Sequence, residues 1–564
     1  MSKIMLQATD QLKNAISAAM QAAIKNGSLP EAPLPEFSIE VPADHSHGDW
    51  ATNAAMIGAK AFRMPPRKIA QAIAENIDLN GTYFARSEIA GPGFINFFYD
   101  PRFYRDVLKD IISLGDNYGR SDFGKKEKIM VEFVSANPTG PMHMGNARGG
   151  ALGDCLSSVL DAAGYDVTRE FYVNDAGNQI VKFGASLEAR YLQIYLGEDA
   201  VEFPEDGYQG DDIRQRAQEF ADLNGDRYVN ADSAERRQAL VDFVLPKNIE
   251  KMKTDLEKYR IFYDVWFRES TIHEDGELQE TIDILKNRGM TYEKDGALWY
   301  RATALGAEKD EVLVRQNGNP TYFAADIAYH RNKFEKRGFN RVIDVWGADH
   351  HGHVARMKGA MNAIGLDGDK LDVVLIQLVR LVRDGQVVRM SKRTGKAIGL
   401  SDLLDEVPVD AARFYFNLRE STSQMEFDLD LAVQQDSQNP VYYVQYAHAR
   451  ICSILKNLAA EGVFPRDCTD EELALLNTPE EIELIRHLAS FTSEIIASAQ
   501  NYDPARITRY VIEVATLFHK FYNARRVKGE AEGLTAARLL LCRATATVLR
   551  NVLSMFKITA PESM

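Results

Sequence analysis

The residues best placed to do chemistry follow an apolar run. Ile129 to Ser135 leads through Asn137-Pro138-Thr139-Gly140 to His143-Met144-Gly145-Asn146, and a small-residue helical stretch, Ala147 to Ala163, comes next. This order reads as a buried strand, a loop and a helix N-terminus. Free backbone N–H groups and the helix dipole make such a junction an anion site. The glycines at 140, 145, 149 and 150 do not have G-x-G-x-x-G spacing, so the dinucleotide fingerprint is excluded. An imidazole beside a phosphate can donate as charge grows in a transition state, which is the chemistry of nucleotidyl transfer. A second candidate is Arg389-Met390-Ser391-Lys392-Arg393-Thr394-Gly395-Lys396. Its cations and hydroxyl near a glycine suit a departing pyrophosphate, with Lys392 as a compact positive charge. A third is a set of carboxylates and polar groups in apolar surroundings: Glu132, Asn137, Tyr322, Asp326 and Asp349. Buried carboxylates are expensive unless paired, so several that converge make a pocket for a cationic substrate. Singly, the histidine also reads as a satisfied loop residue and the basic loop as a solvated turn. His350, His351 and His353 lack a cysteine partner and H-E-x-x-H spacing, so no metal site is expected.

The elements that must position these groups alternate. After the helix from Ala147, Asp166 to Val173 reads as a second strand ending in Asn174-Asp175-Ala176-Gly177-Asn178-Gln179, and polar groups at strand C-termini are where open α/β sheets bind ligands. Residues 181–290 are helical in period and charged, and read as an insertion between two halves of the sheet. The second half is expected to resume at Val312-Leu313-Val314 and Tyr322-Phe323, with a helix from Ala324, a strand from Arg341 to Trp346, and an apolar run from Leu371 to Val382. That run turns at Asp384-Gly385, a hairpin signal. The fold class is therefore α/β, a Rossmann-like doubly wound parallel sheet over residues 116–400, followed by a connecting segment, 401–435. Residues 1–115 form a separate N-terminal α+β domain, in which Gly91 to Asp100 alternates like a half-buried strand. Phe94 and Asn96 there could stack on and hydrogen-bond an unpaired base, or be a core phenylalanine and a turn asparagine. Residues 436–564 are helical throughout and read as a bundle.

Composition narrows the function by exclusion. A formal charge of −15, from 66 basic and 81 acidic side chains, argues against non-specific nucleic-acid binding but not against a local basic patch. No apolar run approaches the ~20 residues that span a bilayer, and the N-terminal pattern is not that of a signal peptide. Cys155, Cys452, Cys468 and Cys542 are scattered, with no C-x-x-C pair. A cytoplasmic protein is expected, monomeric by default.

The combination is more specific than its parts. A P-x-H-x-G-N loop, an M-S-K loop about 250 residues later and a helical C-terminal domain resemble the class I aminoacyl-tRNA synthetases. VEFVSANPTGPMHMGNARGGALGD, YVNDAGNQI, YFAADIAYH, VWGADHHGHVARM, MSKRTG and YVQYAHAR, with GDWATNAAM and GPGFINFF near the N-terminus, are similar to the bacterial arginyl-tRNA synthetases. The resemblance implies ATP-dependent ligation of L-arginine to its tRNA, with Mg2+ accompanying ATP and an adenylate intermediate. It implies ATP binding by His143, Gly145, Asn146, Met390 and Lys392, and catalytic roles for His143, Asn146, Ser391 and Lys392. It places arginine on Glu132, Asn137, Tyr322, Asp326 and Asp349, in keeping with the planar, bidentate recognition a guanidinium wants. It implies a tRNA-elbow contact through Phe94 and Asn96 and anticodon reading by the bundle, with Tyr443, Tyr446 and the run Phe518 to Lys528 as stacking candidates. It also implies that activation requires tRNA. Two positions depart from the usual motifs: Asn146 stands for a second histidine and Arg389 for a first lysine. The rivals are another class I synthetase such as the cysteinyl type, a small-molecule nucleotidyltransferase, and a non-catalytic RNA-binding relative. Missing cysteine ligands, two appended domains, and intact His143 and Lys392 count against them in turn.

Overall fold

The apolar run before His143 forms Lys128–Glu132 (β1), the central strand of a five-stranded parallel sheet. The computed structural model describes residues 4–42, 44–388 and 398–564. In chain order, β1 is followed by Met144–Ala162 (α1), Asp166–Val173 (β2), Gly177–Leu196 (α2), Ser233–Lys258 (α3) and Val265–Arg268 (β3). Then come Tyr322–Arg331 (α4), Arg341–Gly347 (β4), His351–Ile364 (α5) and Leu371–Ile376 (β5). The strands lie in the order β5-β4-β1-β2-β3, every neighbour parallel. This is the doubly wound order, and the connections from β1 and β4 leave in opposite directions, opening a crevice at their C-terminal ends. The loop from β1 to His143 and the turn from β4 to Asp349 both open there.

Glycine lets α1 press onto the sheet. A Cβ at Gly153 would lie 2.3 Å from the Phe133 ring, and one at Gly150 would lie 2.8 Å from Ile261. β1 ends at Glu132 rather than continuing to Ser135, because Val134 and Ser135 turn into the left-handed region with φ of 70° and 38°. For a β-branched residue that conformation is strained, and such strain gathers at functional sites.

Two expected strands differ. Glu311–Val314 belongs to a separate antiparallel sheet with Thr291–Lys294 and Ala297–Tyr300, and Tyr322-Phe323 is the first turn of α4. Thr321 explains the second case, since its hydroxyl caps α4 by accepting from the Ala324 N–H. The charged stretch 181–290 supplies helices but also β3, an edge strand of four residues, too short to show a strand period. The Asp384-Gly385 hairpin forms as expected between Val379–Arg383 and Gln386–Val388, with both turn residues at positive φ.

The N-terminal part packs helices Ile4–Lys25, Ala54–Phe62, Pro66–Asn76 and Pro101–Leu114 on a four-stranded antiparallel sheet. Val409–Phe416 (α6) leads to the C-terminal helices, including Pro440–Ala460 (α7), Ala505–Ala524 (α8) and Glu532–Met555 (α9). The N-terminal part rests on that bundle: Arg486 Nε donates to Asp49 Oδ1 at 2.7 Å and its NH2 to the Tyr104 hydroxyl at 3.1 Å. Among the described residues no helix is long and apolar enough to cross a membrane.

Candidate active site

His143 is the N-cap of α1, exposed at the crevice, with an extended backbone. Its N–H donates to the Asn146 side-chain oxygen at 2.9 Å, so Asn146 closes the first turn from the inside. That leaves the Asn146 amide NH2 without a protein partner among the described residues. A Cβ on Gly145 would stand 3.2 Å from both Cε1 and Nδ1 of the His143 ring, so the glycine gives the imidazole its place. Gly399 bridges His143, and Leu400 N–H donates to Met142 O at 3.0 Å. The chain just beyond the second motif is thus stapled beside the histidine. Arg389, Met390, Ser391 and Lys392 themselves lie outside the described residues.

Of the five expected pocket residues, two, Glu132 and Asp326, lie close enough to Tyr172 to act on its phenol. Burial raises the Tyr172 phenol well above its usual pKa, and Glu269, Asp326 and Glu132 add to the effect. Glu132, at the end of β1, is buried. It accepts from Ser135 Oγ at 2.9 Å, from the Tyr329 hydroxyl at 2.9 Å and from Lys333 Nζ at 2.6 Å. Burial raises its pKa, against the pull of Lys333. Tyr322 and Asp326 lie one turn apart on α4. The Tyr322 hydroxyl accepts from Gln179 N–H at 3.1 Å, and its ring lies over Gly177, where a Cβ would approach to 3.1 Å. Asp326 pairs with His353 Nε2 at 3.3 Å. Asn137 is exposed in the loop, and Asp349 is 82% exposed with His350 Nε2 at 3.6 Å. Among the described residues, no hydrogen bond or ion pair joins either of them to Glu132, Tyr322 or Asp326.

Sequence reasoning missed Glu269, the first residue of the short helix Glu269–Glu274. It is buried, lies 3.5 Å from His273 Nε2, and shares a cavity of about 310 Å3 with Tyr322, Gly177 and Arg315. Burial raises its pKa as well. The only signal was a lone carboxylate directly after an aromatic strand, Val265–Arg268. Among the described residues no cluster of three or more His, Cys, Asp or Glu side chains could hold a metal ion.

The expected RNA contacts fall on two surfaces. In the strand Phe94–Tyr99, Ile95, Phe97 and Tyr99 enter the core, so Phe94, Asn96 and Phe98 share the other face. Phe98 there carries the Arg86 guanidinium 3.5 Å from its ring centroid. Asn96 is nonetheless largely buried. On the bundle, Tyr442, Tyr446 and His519 stack in a row, centroids 6.3 and 5.9 Å apart, with Tyr443 against the same imidazole at 5.1 Å. Tyr446 is 40% exposed. Burial, reinforced by Arg450, pushes His519 down to about 4, so its imidazole is neutral at pH 7.

Comparison with known proteins agrees with this fold. Residues 108–451 match the family model described as tRNA synthetases class I (R), catalytic domain. Residues 10–99 match the arginyl tRNA synthetase N terminal domain, and residues 444–564 the DALR anticodon binding domain. An arginine–tRNA ligase of Acetivibrio thermocellus is 58% identical over 558 residues, covering 99% of this chain and 98% of its own. One of Caldanaerobacter subterraneus is 57% identical over the full length of both. Among solved structures, a putative arginyl-tRNA synthetase from Campylobacter jejuni superposes with a TM-score of 0.74 at 33% identity, covering 82% of this chain and all of its own. The arginyl-tRNA synthetase of Thermus thermophilus, at 22% identity, shares the fold over 98% of this chain with a TM-score of 0.73. Matched along its whole length, with a doubly wound sheet that opens at His143, the chain belongs to the arginine–tRNA ligase family of class I aminoacyl-tRNA synthetases.

Proposed function

We propose a division of labour for the reaction of this family within the crevice between β1 and β4. The reaction is ATP-dependent ligation of L-arginine to its tRNA. The arginine carboxylate attacks the α-phosphate of MgATP, pyrophosphate leaves, and the terminal ribose hydroxyl of the tRNA then takes the arginyl group from the adenylate, releasing AMP. The placement of His143 on the N-terminus of α1 carries the assignment. Its ring, the Asn146 NH2 and the first-turn N–H groups of α1 hold the α-phosphate as charge grows on it. Asn146 serves as both a cap and a neutral donor. Gly145 keeps the imidazole in place, and Met390, Ser391 and Lys392 take the pyrophosphate. No protein base is assigned, because positioning and charge stabilisation carry both steps.

Glu132, Asp326 and Asp349, with Asn137 and Tyr322, hold arginine in this reading, Tyr322 covering the pocket and Asn137 and Asp349 closing on it with substrate. Glu269 adds a buried carboxylate to the same wall. Residues 1–115 meet the tRNA elbow through Phe94 and Asn96, and residues 436–564 read the anticodon loop with Tyr443 and Tyr446 as stacking surfaces. The enzyme acts as a cytoplasmic monomer and activates arginine only with tRNA bound. Arginine-dependent pyrophosphate–ATP exchange tests the scheme, with and without bulk tRNA, on the wild type and Asp326→Ala. Exchange that needs both arginine and tRNA, and is lost in the variant, is expected. Equal exchange without tRNA would remove the tRNA requirement, and an unchanged arginine KM in Asp326→Ala would remove the pocket.

A further inference from the structure

Three carboxylates stand side by side in the middle of the sheet. The parallel register pairs Asp344 of β4 with Glu132 of β1, and Glu132 with Glu170 of β2. All three are buried, and like charges on neighbouring strands repel. The row is neutralised from α4 and the π-helical turn Asn332–Lys336 that continues it, closed by Arg337 N–H donating to Asn332 O at 3.0 Å. Such turns are rare and recur at functional sites. Here the turn places Lys333, with no exposed surface, between two carboxylates, 2.6 Å from Glu132 and 3.0 Å from Asp344. Arg337 pairs with Glu170, and the Tyr329 hydroxyl lies between Glu170 and Glu132. His330 completes the set: Nε2 is 2.8 Å from Asp344 Oδ2, and Nδ1 is 2.7 Å from the backbone carbonyl of Asp326. Both ring nitrogens face oxygen atoms, so the imidazole bridges β4 to the backbone of α4.

The row therefore connects two residues assigned to arginine. Glu132 is held through Lys333, and Asp326 is held through its own carbonyl by His330. We propose that His330, Asp344 and Lys333 are positioning residues that keep Glu132 and Asp326 in register across the crevice, and so set the affinity for arginine without touching it. The proposal rests on the pocket reading above. It predicts a selective effect, because the relay reaches the arginine carboxylates while the ATP groups sit on α1, outside it.

The test is steady-state aminoacylation of bulk tRNA by the full chain, with arginine and MgATP varied in turn and melting temperatures recorded. Asp344→Asn keeps the shape of the side chain while removing its charge. An arginine KM at least tenfold higher, with the ATP KM within twofold and kcat within threefold, is expected. Lys333→Met should act in the same direction with a lower melting temperature, since it leaves buried carboxylates without their cation. If Lys333→Met does not fold, Asp344→Asn alone decides. The pair Lys333→Met with Asp344→Asn removes one charge of each sign, and should regain melting temperature over Lys333→Met without regaining the arginine KM. An arginine KM within twofold of wild type in a folded Asp344→Asn, a parallel rise in both KM values, or a double variant that regains arginine affinity along with stability would each overturn the relay. Asp326→Ala run beside them separates the two ideas. A raised arginine KM there with none in Asp344→Asn sinks the relay alone, whereas no change in Asp326→Ala sinks the pocket and the relay with it.

Discussion

At the scale of single residues, Gly145 separates stability from activity. It sits in the first turn of α1, where alanine is the better helix former by up to about 1 kcal/mol, yet a Cβ there meets the His143 ring at 3.2 Å. Gly145→Ala should leave the melting temperature unchanged or slightly raised while slowing arginine-dependent pyrophosphate exchange at least tenfold. A variant of full activity would show that the imidazole does not depend on this placement. Tyr446 makes a second case, on the bundle. Base–aromatic stacking is worth roughly 1–3 kcal/mol, so Tyr446→Ala should raise the KM for tRNA about tenfold and leave those for arginine and ATP alone. Equal tRNA KM values in the two proteins would remove this tyrosine from the interface.

At the scale of elements, α1 is held by a buried cation that has no carboxylate partner among the described residues. Arg148 donates to Gln377 O at 2.7 Å, Ser423 O at 3.0 Å and Glu420 O at 2.9 Å, and burial lowers its pKa to about 10. It ties the helix behind His143 to the chain after β5 and to the segment before Met425–Asp428. Arg148→Met should destabilise the fold by roughly 3 kcal/mol, since three part-buried carbonyls lose a charged donor. Urea denaturation measures it, and a loss below about 1 kcal/mol would mean that water replaces the guanidinium. The same element shows what local pattern carries. The helix from Ala147 and the strand Asp166 to Val173 were legible because small-residue helical period and apolar content persist over many residues. The four-residue β3 was not, because a short edge strand has no period of its own.

At the scale of the whole molecule, one aspartate joins the parallel sheet to the C-terminal bundle. Asp154 of α1 is fully buried, bonded by Arg413 of α6, by Lys557 just past α9 at 2.8 Å, and by Arg169 of β2 at 3.2 Å. Burial pushes its carboxyl up, but Arg413, Lys557 and Arg169 together hold it below its usual value. A carboxylate lowered in the folded state adds stability that is present above its unfolded pKa, near 4, and is lost as pH falls through the folded value. Asp154→Asn should therefore cost roughly 3–5 kcal/mol at pH 7, and its gap from wild type should narrow as the pH drops below about 4. Urea midpoints across that range check the sign. A gap independent of pH would assign the loss to packing rather than charge.

The sequence by itself determined the doubly wound class, the strand–loop–helix junction that holds His143, the turn at Asp384-Gly385 and the family, since each rests on spacing and residue type along a short stretch. Tertiary structure decided which charges are buried together. Lys333 reads in the sequence as one more cation in the run Asn332-Lys333-Phe334-Glu335-Lys336-Arg337, and only the π-helical turn brings it beneath Glu132, 201 positions away. Asp154 and Lys557, 403 positions apart, meet for the same reason. A linear pattern records local period and capping. Which strand lies beside which, and hence which carboxylates must share a cation, depends on the closed path of the chain.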